Sequence, residues 1–147
     1  MSVISYYRRV GPAGLDELRR LSDDPIGALE YAGVLPGTHT DRAWAGLHFL
    51  LLDVAPPVDV INGGEPFAGH FRLLTAAEVT TAAAFLDATP FATLAAHYDR
   101  ALMESIGVYP DDLWEADWAL SYLEDAYLRL VPFFRAASGG PVLVWRA

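Results

Sequence analysis

The segment Asp41-Arg42-Ala43-Trp44-Ala45-Gly46-Leu47-His48-Phe49-Leu50-Leu51 restricts the fold of this chain more than any other stretch. Trp44, Leu47, His48 and Leu51 recur at the spacing of one helix face. Phe49, Leu50 and Leu52 make the other faces apolar as well, so the helix reads as central and largely enclosed. Thr40 is placed to cap it, with Asp41 in the first turn, where negative charge is favourable. Pro56-Pro57 blocks continuation beyond about Val54. Such a helix buries an indole and an imidazole. Trp44 and His48 are therefore expected as core residues whose polar nitrogens all find partners.

Around this helix the punctuation is regular. Ser2 to Arg9 reads as a central strand, with Val3, Ser5 and Tyr7 facing one way and Ile4, Tyr6 and Arg8 the other. Leu15 to Leu21 reads as a short helix, and Pro25 to Ala32 as a second, capped by Asp23 or Asp24 and stopped at Gly33. Leu35 to His39 reads as a loop, and Asn62-Gly63-Gly64 as a turn. Phe71 to Leu74 is an expected strand. Thr75-Ala76-Ala77-Glu78 is a capping box opening a helix to about Leu86. A helix capped by Thr89 is expected through to Ile106, and a long one from Leu113 to Ala137, interrupted by Pro132. Val142 to Trp145 reads as the last strand. Helices outnumber strands without strand–helix alternation. The expected architecture is α+β: one helix-rich domain with a small mixed or antiparallel sheet built partly from the N- and C-terminal strands.

Length supports one domain, since 147 residues are too few for two well-packed cores. An apolar fraction of 53% excludes bulk disorder. No apolar run approaches a membrane span, and Tyr6-Tyr7-Arg8-Arg9 leaves no apolar region for a signal peptide. A cytoplasmic location is the expectation. The absence of cysteine removes disulfides, thiolate metal sites and cysteine nucleophiles. All 10 basic residues are arginine, set against 19 acidic residues for a net charge of -9. That balance argues against nucleic acid. It suits a basic protein partner, and it also serves solubility.

Signals of chemistry are sparse. There is no phosphate loop, no Gly-x-Ser-x-Gly elbow and no EF-hand. His39, His48, His70 and His97 show no metal-ligand spacing, so neither metal nor cofactor is expected. Asp41 and His48 lie two helical turns apart, about 10 Å in rise, which makes direct pairing awkward. Asp111, Asp112, Glu115 and Asp117 read as a charge run favouring the N-terminus of the long helix. Glu124 and Asp125 sit mid-helix among aromatics and would need Arg42 or Arg72 if buried.

These landmarks together resemble the DUF1877, or YfbM-like, family of small bacterial proteins of undefined function. The resemblance rests on Ser5-Tyr6-Tyr7, the Asp41–Leu51 block, and Phe71-Arg72-Leu73-Leu74-Thr75-Ala76-Ala77-Glu78-Val79. It continues through Tyr109-Pro110, Trp114, Leu123, Tyr127 and Phe133-Phe134 to Val142-Leu143-Val144. It spans the whole chain in order and implies an α+β domain. It carries no catalytic residues. Leu52–Pro57 and Glu65–His70 depart from the family pattern, so no loop-borne site is transferred there.

Two functional classes follow. The first is a protein-binding or regulatory module, of which an immunity- or antitoxin-like protein is one form; monomer and dimer both remain open. The second is a small hydrolase or ligand-processing enzyme with His48 or His70 as base and Asp41 or Asp125 as orienting or acid group. A concave pocket joining two of these groups would favour the enzyme. An exposed apolar patch rimmed by carboxylates would favour the binder.

Overall fold

The two ends of the chain meet in one sheet. The computed structural model describes residues 2–147. In chain order the elements are β1 (Ser5–Arg9), α1 (Pro12–Arg20), α2 (Pro25–Gly33), β2 (Gly37–His39), a 3-10 turn (Asp41–Ala43) and α3 (Trp44–Val54). There follow β3 (Glu65–Phe67), β4 (Phe71–Leu74), α4 (Ala76–Ala88), α5 (Phe91–Ala95), α6 (Arg100–Ser105), α7 (Ala119–Ala137) and β5 (Val142–Arg146). The strand order is β2-β1-β5-β4-β3, with every pair antiparallel. Ser5 opposes Arg146 and Arg9 opposes Val142. Ile4 and Ala147 extend this pairing with reciprocal backbone bonds of 2.8 and 3.0 Å.

Strand alternation sorts the side chains into two cores. On one face Tyr7, Leu74, Val142 and Val144 pack with Leu47 and Leu50 of α3, Val79 and Leu86 of α4, and Leu123, Tyr127 and Phe134 of α7. On the other, Phe71, Leu143 and Trp145 pack with Val10 and with Leu18, Ala28 and Ala32 from α1 and α2. Both faces of β1 and β5 are thus covered, and the expectation of an α+β domain with terminal strands in the sheet holds. The sheet is antiparallel throughout.

Local signals explain the elements that match. Asp24 caps α2, its side chain accepting from the Gly27 amide at 3.0 Å. The capping box of α4 closes in both directions: the Glu78 amide donates to Thr75 Oγ1 at 3.2 Å, and the Thr75 amide donates to Glu78 Oε1 at 3.0 Å. Pro132 lies inside α7 without ending it.

Several boundaries differ from expectation. β2 and β3 arise where loops were expected. Each has three residues, too few for periodicity to register, and exists because a neighbouring strand offers bonding partners. α1 starts at Pro12, with proline in the permitted first turn. The helix expected from Thr89 to Ile106 breaks into α5 and α6, because Asp99 adopts an extended conformation and caps a new helix through the Leu102 amide at 3.0 Å. α7 begins at Ala119 rather than Leu113. The preceding turns bury Trp114 and direct its indole N–H to the Val108 carbonyl at 2.8 Å. The carboxylates of Asp111, Asp112, Glu115 and Asp117 therefore lie ahead of α7, and its first turn contains no acid.

Thr40 is not the cap of α3. It is fully buried, and its hydroxyl donates to the Asp41 carbonyl at 3.3 Å. Asp41 occupies the left-handed region at φ 52°, and a 3-10 turn intervenes before Trp44. This detour lets the Arg42 amide donate to the Tyr122 hydroxyl at 3.0 Å.

Candidate functional site

α3 is enclosed along most of its length but leaves one edge open. Gly46, Leu47, Leu50 and Leu51 are buried, whereas His48 and Leu52, one turn apart, form a ridge between two clefts. The first cleft, about 210 Å³, is lined by His48, Leu51, Leu52, Ala55, Pro56 and Asp59. The second, about 340 Å³ and mainly apolar, lies between Trp44, Phe49 and Leu52 of α3 and the Ile106–Tyr109 segment. Leu52 and Ile106 are each 61% exposed.

His48 is not the enclosed core residue that the helical pattern implies. Its side chain is 32% exposed, and Nδ1 stands 3.9 Å from Asp59 Oδ1, beyond hydrogen-bond length. Gly46, Leu47, Leu50 and Leu51 face the core, and the imidazole reaches solvent on the same edge as the exposed Leu52. Trp44 is half-buried, stacked on Tyr109 at 5.4 Å, and donates its indole N–H to the Val3 carbonyl at 2.9 Å.

Asp59 belongs to a rigid turn. Its Oδ1 accepts the amides of Ile61 at 3.0 Å and Asn62 at 2.9 Å, while its carbonyl accepts the Gly63 amide at 3.0 Å. A side chain at Gly63 would collide with that carbonyl, which explains the glycine. The turn is bolted to the sheet from below. The Tyr7 hydroxyl donates to the Val60 carbonyl at 2.8 Å, and burial pushes the Tyr7 phenol well above its usual pKa. Arg146 Nη2 donates to the Ile61 carbonyl at 2.8 Å and to Asn62 Oδ1 at 2.5 Å, with its guanidinium 4.0 Å from the Trp44 ring centroid.

The structure does not bring the other sequence candidates to this cleft. Asp41 lies beside Tyr122, whose phenol burial raises. Asp125 is exposed on α7, as is Glu124, so neither requires Arg42 or Arg72 as a buried partner. His70 is exposed in the β3–β4 hairpin loop, its ring edge-on to Phe71. His39 Nδ1 accepts the Asp41 amide at 3.0 Å, and His97 Nδ1 stands 3.6 Å from Asp53. The four histidines are thus dispersed. Among the described residues, no three His, Asp or Glu side chains form a group able to hold a metal ion. Among the same residues, no helix is long and apolar enough to cross a membrane.

Asp59 is the residue that sequence reasoning missed. The signal available was Asp59-x-x-Asn62-Gly63, which marks a turn closed by an aspartate side chain. Nothing in it pointed to His48, eleven positions earlier.

The solved structure of YfbM from Escherichia coli, described as a protein of unknown function, superimposes with a TM-score of 0.67. At 13% identity the match covers 98% of this chain and 99% of that one, and it shows a shared fold. No curated protein matches the chain. The family model described as "Domain of unknown function (DUF1877)" matches residues 1–144. With that span matched and the sheet-and-helix arrangement shared, the chain belongs to the DUF1877 family.

Proposed function

We propose that this domain is a protein-binding module that docks a basic partner on the open edge of α3. The observation that carries this reading is the pair of adjoining clefts sharing the Leu52 ridge, faced across the second cleft by Ile106. Exposed aliphatic side chains beside a concave apolar surface favour insertion of a partner's apolar side chain. Asp59 lines the first cleft and Asp53 follows Leu52 on the exposed surface, in a chain of net charge -9. Acidic groups around an apolar contact select a partner that flanks its anchor with Arg or Lys. An immunity-like role, in which the acidic face covers the working surface of a basic effector, is one specific form.

A hydrolase has one observation in its favour, the approach of His48 to Asp59. The remaining groups lining that cleft are aliphatic or proline, so no side chain there offers a nucleophile or an oxyanion donor. The binding reading is therefore the better supported.

The test is capture of a basic protein from the native host, followed by reconstitution of the purified pair. Binding that weakens with salt and falls at least tenfold in Leu52→Ser and Ile106→Ser, with melting temperatures unchanged, supports the proposal. A complex indifferent to both substitutions would refute the site. Turnover abolished by His48→Gln would favour the hydrolase.

A further inference from the structure

A second group of side chains lies on the sheet, joined to the α3 edge by the packing of Arg146 on Trp44. The antiparallel register of β4 and β5 sets Arg72 opposite Val144. Counting along β5, Arg146 falls on the same sheet face as Arg72, beyond the core residues Leu74 and Val142, and His70 stands in the adjoining β3–β4 loop. His70, Arg72 and Arg146 all line one cavity of about 320 Å³, bounded by Ile61 and Pro66.

Among the described residues, neither arginine has a carboxylate within ion-pair distance, although the chain carries 19 acidic residues. Each is held by neutral oxygens instead. Arg72 Nε donates to the Gly63 carbonyl at 3.3 Å, and Arg146 Nη2 serves the Ile61 carbonyl and Asn62 Oδ1. Two bonds and the Trp44 ring hold the Arg146 guanidinium, one bond tethers Arg72, and the terminal nitrogens of Arg72 and Nε and Nη1 of Arg146 make no hydrogen bond among the described residues. Burial lowers the pKa of Arg146, and the charge of Arg72 adds a smaller effect in the same direction. Tyr7 and Asp59 offset part of it, while Asp59 Oδ1 also accepts the Ile61 and Asn62 amides.

We infer that this cavity binds a phosphate oxyanion, either free or as a small monoester. A single guanidinium fork satisfies a planar carboxylate. Two guanidinium groups from adjacent strands lining one cavity, with an imidazole also in its lining, match the several oxygens and higher charge of a phosphate. The anchoring of Arg146 lowers the ordering cost of binding.

The test is titration of the full chain, followed by amide and arginine side-chain NMR at constant ionic strength. Inorganic phosphate, phosphoserine and acetate are the probes, with sodium chloride as the control. Saturable shifts at Gly63, His70, Arg72 and Arg146 with phosphate or phosphoserine support the site, and whichever binds more tightly identifies the source. Arg72→Gln, which leaves the Trp44–Arg146 contact intact, is expected to weaken binding about tenfold while the spectrum elsewhere stays folded. Absence of saturable shifts, equal shifts with chloride, acetate binding as tight as phosphate, or unchanged affinity in Arg72→Gln would overturn the inference.

Discussion

The Tyr7 hydroxyl reaches 2.8 Å to the Val60 carbonyl, joining β1 to the turn that carries Asp59. Tyr7 is completely buried, so neither partner has access to water. This one bond ties the position of the cleft wall to the register of the sheet. Tyr7→Phe removes the donor and strands a buried carbonyl, at a cost of about 1–3 kcal/mol. Urea denaturation should report that loss, and amide exchange at Ile61 to Gly63 should accelerate more than exchange in α7.

Stability is expected to fall in alkali. Burial holds the phenols of Tyr7 and Tyr127 above their ordinary value of 10.0, Tyr127 at about 12. The folded state keeps both protons at pH values where the unfolded chain has lost them. Both contributions are intact below about pH 10 and decline as the pH rises through 10 towards 12. Denaturation curves across pH 8 to about 11.5 should be flat at first and then descend, with a shallower descent in Tyr127→Phe.

Gly46 of α3 packs directly against Leu123 of α7 and the Trp114 ring. A Cβ there would lie 2.7 Å from Leu123 Cδ2 and still nearer to the Trp114 ring. Both neighbours are fully buried and have no room to retreat. Gly46→Ala gains helix propensity but overpacks the core, for a net loss of about 1–3 kcal/mol. A lowered melting temperature and altered Trp114 fluorescence would show it.

Ala55 ends α3 in the left-handed region at φ 54°, directly before Pro56. An L-residue is strained there, and glycine is not. Ala55→Gly is expected to stabilise the protein by about 0.5 kcal/mol, because relief of strain exceeds the added freedom of the unfolded chain. Thermal and urea denaturation should agree on the sign.

Asp59 holds its turn through one oxygen. Asp59→Ala leaves the Ile61 and Asn62 amides without that acceptor and should cost about 1 kcal/mol. Asp59→Asn retains a carbonyl oxygen in place and should cost less than half as much. Equal losses in the two variants would mean that the charge facing His48, rather than the acceptor, holds the turn.

The clearest elements in the sequence were those whose signals act within a few residues. The reciprocal contacts of Thr75 and Glu78 need only one helical turn, and β1 showed its two-sided burial in the alternation of Ser5, Tyr6 and Tyr7. The break at Asp99 was harder to see. Leu94, Tyr98, Ala101 and Leu102 keep a helical period across it, while the interruption depends on an extended backbone at Asp99.

The sequence by itself determined the class of the fold, the interior position of the first strand and the helix bearing Trp44 and His48. Periodicity, capping and proline stops are local and additive along the chain. Tertiary structure alone decided that β2 and β3 would pair at the sheet edges, that His48 would stand at an opening, and that Asp59 would face it. It also decided that Arg72 and Arg146, 74 positions apart, would share a cavity. Those relations depend on strand register and on which helix face lacks a neighbour. Both are settled only when distant segments bury their apolar surfaces together.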